Sequence, residues 1–239
     1  MAECCYLHGW GLHGGIWAET RALLPGDAPD LPGYGATPTV TPYTVETVAD
    51  AVAASLDGPV DLIGWSMGGM TALALAARHP DKVRRLVLVG ASPCFVNRPG
   101  WGHGLDAEVV TGFSQSLAQD YKTTLQRFLA LQARGDDEAR AVISRLREKV
   151  LAHEPRPDTL AAGMDLLQQA DLRDVLEAVL CPTLVVHGAY DALCPVAAGR
   201  WLAAYLPDAA LAEHPRASHA PFLSHPAWFV ETVTEFLHG

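Results

Sequence analysis

Gly64-Trp65-Ser66-Met67-Gly68 sets a hydroxyl between two glycines, where an apolar run gives way to a helical pattern. A serine on so tight a strand-to-helix turn is held exposed, and the glycines let the backbone pass close to its neighbours. The amides that open the following helix, beginning with Met67, are placed to stabilise an oxyanion. A serine hydroxyl is a weak nucleophile until a histidine accepts its proton, and that histidine needs a carboxylate to fix its tautomer and stabilise the imidazolium. Asp191 lies in "AYDALCP" after the apolar run "TLVVHG", and His219 lies in "RASHAPFLSHP" just ahead of the last helical pattern. The three groups therefore follow one another as serine, acid, base, and the chemistry they could perform is two-step acyl transfer.

Other residues compete less well for these roles. His79 stands before Pro80 as a helix end and is expected to cap carbonyls, His187 closes a strand, and His214 and His238 read as surface or terminal residues. His225 sits between Ser224, a good N-cap, and Pro226 at a first helical position, while His103 and His153 fall in or near a helical insert. Asp165 and Asp171 belong to that insert, away from strand ends. His8 and His13 lack a third ligand at metal-binding spacing, so no metal is expected. Cys4, Cys5, Cys94, Cys181 and Cys194 contain no C-x-x-C pair and read as reduced, buried thiols.

These side chains must be positioned by a scaffold. Short apolar runs at 60–65, 83–89 and 183–187 are bounded by turn residues, as buried parallel strands are. Helical patterns at 44–56, opened by Thr44 and Thr47, and at 70–79, stopped by Pro80, alternate with them. The fold class is therefore α/β, a mainly parallel sheet with helices on both faces. Residues 114–172 break the rhythm with helical periodicity alone and form the expected lid, over a core made of 1–113 and 173–239. The formal charge of −10 argues against nucleic acid, and no apolar run is long enough to span a membrane. With no secretory leader, a soluble, cytoplasmic protein is expected. Within 121–149, however, seven basic side chains face four acidic ones, a local positive excess suited to an acidic partner.

Taken together, "LHGWG", "DLPGYG", "GWSMGG" and "SHAPF" resemble the α/β-hydrolase superfamily over essentially the whole chain. "ASPCF", "RFLALQ" and "HAPFLSHP" are further similar to the esterases that cleave the methyl ester of a pimeloyl chain carried on acyl carrier protein during biotin synthesis. The resemblance implies a second oxyanion amide from Trp10 and a substrate pocket lined by Trp10, Met67, Phe128, Leu129, Ala130, Leu131 and Gln132. It implies no cofactor, and acyl carrier protein as partner of a monomeric enzyme, which Lys122, Arg127, Arg134, Arg140 and Arg145 are suited to contact. It also implies two strands ahead of the "HG" strand, whereas the chain begins directly with that strand, and "AETRALLPGDAP" carries no β-like run. A sheet of five or six strands with its edge near the "HG" strand is expected. The alternatives are a general short-chain carboxylesterase or lactonase with the same three residues, and a non-catalytic ligand-binding receptor. A dehalogenase is disfavoured because Ser66 stands where an aspartate would act.

Overall fold

The computed structural model describes residues 3–239. In chain order the elements are β1 (Cys4–Leu7), α1 (Ala18–Leu23), β2 (Gly26–Asp27), α2 (Val45–Ala54), β3 (Val60–Trp65), α3 (Met67–Arg78) and β4 (Val83–Val89). They continue as α4 (Ala107–Gln119), α5 (Tyr121–Leu131), α6 (Ala139–Ala152), α7 (Pro157–Gln169), β5 (Thr183–Gly188), α8 (Val196–Tyr205), β6 (Ala209–His214), α9 (Pro221–Ser224) and α10 (Pro226–His238). The sheet has six strands in the order β2-β1-β3-β4-β5-β6, and every pairing between neighbours is parallel.

The central strands form where the sequence is apolar on both faces: β4 and β5 carry Leu86, Val87, Leu88, Val89, Val185 and Val186, all without measurable exposure. α2 starts at a complete capping box between Thr44 and Thr47, and α10 starts with Pro226 at its first turn. α3 is buried along almost its whole length, which the small residues of "MGGMTALALAAR" permit. Ser66 follows directly from β3 and precedes α3, so the sheet and this helix together fix where its side chain stands.

Several sequence expectations change in detail. Between β1 and β3 the stretch without a β-like run folds as a six-residue α1 and a two-residue β2 that forms the sheet edge beside β1. β6 carries no strand signature in the sequence, because as the opposite edge strand it is half-exposed and lacks a continuous apolar run. The helical stretch begins at Ala107 rather than Ser114 and consists of α4 to α7. His79 caps no carbonyl with its side chain; its Nε2 lies 2.7 Å from Asp50 Oδ1. Ser224 closes α9, and the N-cap position of α10 falls to His225. His214 is buried, stacked on His225 with ring centroids 3.8 Å apart.

Phe222 in α9 joins the N-terminal and C-terminal segments. Its ring stacks on Trp17 at 4.2 Å and meets Trp65 edge-on at 5.1 Å, and it is 1% exposed. Phe222→Ala should therefore cost about 3–5 kcal/mol of stability, read as a lower urea midpoint. A loss below about 1 kcal/mol would show that this aromatic contact does not hold the two segments together.

Candidate active site

β3 delivers Ser66 through a turn that only small neighbours allow. A Cβ on Gly64 would lie 2.4 Å from the Gly68 carbonyl oxygen, and one on Gly68 would lie 2.5 Å from the carbonyl oxygens of Leu7 and His8. The turn leaves Ser66 at φ 57° and ψ −119°, the one positive φ outside glycine among the described residues. A conformation of that kind costs on the order of 1–3 kcal/mol and persists where surrounding structure over-determines it. Here the Ser66 amide donates to Val89 O at 2.9 Å, and α3 takes up the chain immediately afterwards.

β1 runs parallel to β3 with Leu7 opposite Gly64, so the residues leaving β1 run beside those leaving β3. The close approach is direct, since a Cβ on Gly9 would stand 3.3 Å from Ser66 Cβ. Among the described residues, the backbone N–H groups of Trp10 and Met67 donate to no backbone carbonyl. Two amides beside one serine, neither spent on the backbone, have the character of an oxyanion hole.

His8 is scaffold. Its Nε2 accepts from the Leu31 N–H at 2.9 Å and its Nδ1 donates to Gly9 O at 2.9 Å, which ties the loop after β1 to the "DLPGYG" turn in one neutral tautomer. Burial pushes its pKa down to about 4, partly offset by the bond to Gly9 O. His13 caps a short 3₁₀ turn through the Gly15 N–H at 3.1 Å, and its Nε2 lies 3.2 Å from Lys149 O. Neither histidine belongs to a metal-type cluster among the described residues. Cys4 and Cys5 are strand interior, and burial pushes the Cys5 thiol up to about 12.

β5 ends at Gly188, and the loop beyond it presents Asp191, whose side chain is fully buried. Asp191 Oδ1 accepts from the Leu193 and Cys194 amides at 2.9 and 2.8 Å, leaving Oδ2 for His219 Nδ1 at 2.7 Å. Burial works to raise the pKa of this carboxyl, but the charge of His219 and hydrogen bonds from His187 and His219 outweigh it and hold the group below the ordinary carboxylate range. Opposite Asp191, His219 Nε2 is buried with no hydrogen-bond partner among the described residues, so it is not yet bonded to Ser66. Such serine–histidine contacts often tighten only when substrate is bound. Trp65 Nε1 donates to His219 O at 2.8 Å, which ties the base to the residue immediately before the serine.

Two contributors escaped the sequence reading. His187 is wholly buried, and its Nε2 lies 2.7 Å from Cys194 O and 3.4 Å from Asp191 Oδ2, where it braces the acid loop. Its position four residues before Asp191 was the available signal. Phe113 of α4 joins Trp10 at 5.8 Å and Phe128 at 5.7 Å, while Trp10 and Phe128 meet at 4.8 Å. The Trp10 indole is fixed in that apolar wall by its N–H bond to Leu160 O at 2.9 Å.

Within α5 and its C-cap, Phe128, Leu129 and Gln132 are buried, whereas Ala130 and Leu131 are half-buried. Neither atom of the Gln132 side-chain amide has a partner among the described residues, although the residue is 1% exposed. A buried amide in that condition calls for a water or a ligand. Its backbone carbonyl accepts the His219 N–H at 3.1 Å. Met67 is fully buried at the start of α3.

Of the five basic residues set aside for a partner, Arg127, Arg134 and Arg140 are exposed. Lys122 pairs with Glu154 at 3.0 Å. Arg145 is committed to the fold, donating to Leu223 O at 2.6 Å and lying 3.4 Å from Glu19. One group of metal-type ligands occurs among the described residues, Asp136, Asp137 and His225, with Asp137 Oδ1 3.1 Å from His225 Nε2. No described helix is long and apolar enough to cross a membrane.

A six-stranded parallel sheet, a strained serine turn and a histidine–aspartate pair at the ends of successive strands define a hydrolase scaffold. The chain belongs to the α/β-hydrolase family, whose model matches residues 6–232. Within that family it is 45% identical to the pimeloyl-[acyl-carrier protein] methyl ester esterase of Chromobacterium violaceum, over 97% of this chain and 92% of that protein. It is 48% identical to the protein of the same name from Aromatoleum aromaticum, over 98% and 97%. Among solved structures, an esterase from Exiguobacterium antarcticum shares the fold with a TM-score of 0.91 at 23% identity, covering 100% of this chain and 94% of that one. An enol-lactonase from Burkholderia xenovorans reaches 0.85 at 26% identity, covering 100% and 92%.

The lowered pKa of His8 has a definite sign in the stability of the fold. The unfolded chain takes up a proton near the ordinary value of 6.5, while the folded chain resists until about 4. Stability should therefore be intact above about pH 6.5 and fall progressively toward pH 4. Urea midpoints across that window check this, and His8→Asn, which cannot titrate, should flatten the slope. An equally steep decline in that variant would place the effect elsewhere.

Proposed function

We propose that the protein is a serine carboxylesterase that hydrolyses the methyl ester of pimeloyl-[acyl-carrier protein], releasing methanol and pimeloyl-[acyl-carrier protein] in biotin synthesis. The observation that carries the reading is the 2.7 Å bond from His219 Nδ1 to Asp191 Oδ2, with the opposite nitrogen of the same ring buried and unpaired. That arrangement supplies a histidine in one tautomer with a base site available to a neighbouring hydroxyl. Near-full-length similarity to curated enzymes of this name supports the choice of ester.

In the mechanism, His219 Nε2 takes the Ser66 proton as Oγ attacks the ester carbonyl. The Trp10 and Met67 amides stabilise the tetrahedral oxyanion. His219 then returns the proton to the departing methoxide, so methanol leaves and an acyl-serine remains. Water, deprotonated by the same nitrogen, attacks that acyl group, and collapse of the second tetrahedral species restores Ser66 and frees the carboxylate. Asp191 stays ionised throughout, favouring the imidazolium. The wall of Trp10, Phe113 and Phe128 suits a methylene chain, and the Gln132 amide suits a polar group on it. None of these steps calls on a cofactor.

Arg127, Arg134 and Arg140, each exposed, are suited to meet an acidic carrier protein, and we place the enzyme in the cytoplasm as a monomer acting on that carrier. A general esterase or lactonase is the second reading, favoured by the enol-lactonase at 26% identity.

Ser66→Ala should abolish detectable hydrolysis, and Asp191→Asn should lower kcat by about 10⁴-fold. A biological role left intact by Ser66→Ala would point to the receptor reading. Catalytic efficiency on the carrier-bound methyl ester should exceed that on p-nitrophenyl esters, and a preference for the small ester would favour the general esterase. Charge reversal at Arg127 and Arg140 together should raise KM for the carrier-bound ester while leaving p-nitrophenyl acetate turnover within about twofold.

A further inference from the structure

The turn between α5 and α6 lies against the loop that carries His219. Gln132 O accepts the His219 N–H at 3.1 Å, and the Asp137 N–H donates to Arg216 O at 3.4 Å. Asp137 also lies 3.1 Å from Arg216 Nη1 through Oδ2 and 3.1 Å from His225 Nε2 through Oδ1. At the centre is Asp136, whose side chain is 1% exposed. Its Oδ1 accepts the Glu138 N–H at 2.9 Å, closing its own turn, and its Oδ2 reaches across to the Ser218 N–H at 2.8 Å.

Ser218 is fully buried and held from the other side as well, because its hydroxyl donates to Tyr190 O at 3.1 Å, one residue before Asp191. The peptide leading into His219 is thus fixed between the helical lid and the acid loop. A buried carboxyl group is costly unless its oxygens find donors, and each Asp136 oxygen has found a backbone N–H. The two bonds point to different segments, a task for a group with two acceptors.

We infer that Asp136 is a positioning residue through which the seated lid keeps His219 in register with Asp191. It touches no reacting atom. When the lid lifts, the amides of Ser218 and His219 lose their acceptors together, so the base is aligned only while the lid is down. The inference rests on the proposed roles of Ser66, His219 and Asp191. It makes binding under the lid and activation of the serine a single event, since both depend on the end of α5.

The test uses p-nitrophenyl acetate, whose acyl group is too short to need the pimeloyl pocket, with Asp136→Ala and Asp136→Asn, the second keeping the volume in case the first does not fold. Each variant's folded state is established by thermal melting before assay. The expected result is a kcat lowered by about 10- to 100-fold with KM within about twofold of the parent, the smaller loss in Asp136→Asn. Amide exchange in the peptide spanning 216–220 should rise at least about tenfold in Asp136→Asn, while peptides from β3 and β4 stay unchanged. A folded variant with parental kcat, or with unchanged exchange in that peptide, overturns the inference. Should Ser66→Ala remain active, the proposed function fails instead; an inactive Ser66→Ala beside a fully active Asp136→Asn sinks the positioning role alone.

Discussion

The structure depends above all on how little space separates the end of β3 from the start of α3. Gly64 and Gly68 let the two segments fold back until backbone meets backbone, and Ser66 takes the positive φ that results. Strain at a point needs rigid surroundings, and the buried stretch Leu86–Val89 of β4 and the nearly buried α3 supply them. The register of β1 against β3 then brings the loop after Leu7 alongside, so the second candidate oxyanion amide arrives through sheet geometry rather than through a dedicated contact. Much of the site is therefore a consequence of strand register.

The remaining groups reach this turn from the other half of the chain. Asp191 and His219 come from the loops that follow β5 and β6, and His219 is steadied by bonds to Trp65, Gln132 and Asp191. The helical segment takes part in this directly. Its α5 supplies Phe128 to the apolar wall and a carbonyl to the base, and the turn after it supplies Asp136. A segment that both packs on Trp10 and hydrogen-bonds the His219 loop differs from a simple cover.

The parts legible in the sequence were those with a short-range signature. Ser66 sits in a five-residue motif, the buried strands β3 to β5 are continuous apolar runs, and α2 opens on a capping box that two threonines announce. β6 and β2 were not legible, the first because an edge strand half-exposed to solvent loses its apolar continuity, the second because two residues hold no pattern. Contacts such as Asp136 to Ser218 join residues 82 apart, and no periodicity records them. Phe113 belongs to the same class, since only the packing of α4 over Trp10 reveals its partner.

The bond from the Trp65 indole to the His219 carbonyl spans 154 residues. During synthesis the serine turn and the first four strands emerge well before its acceptor does, so a nascent chain holds Ser66 without His219. Until the C-terminal residues that cover Trp65 are in place, its indole N–H is open to water, so this bond forms only when the last loop docks. Docking then closes the indole bond and completes the histidine–aspartate pair together. The order of residues along the polypeptide thus leaves this bond among the last to form as the chain is made.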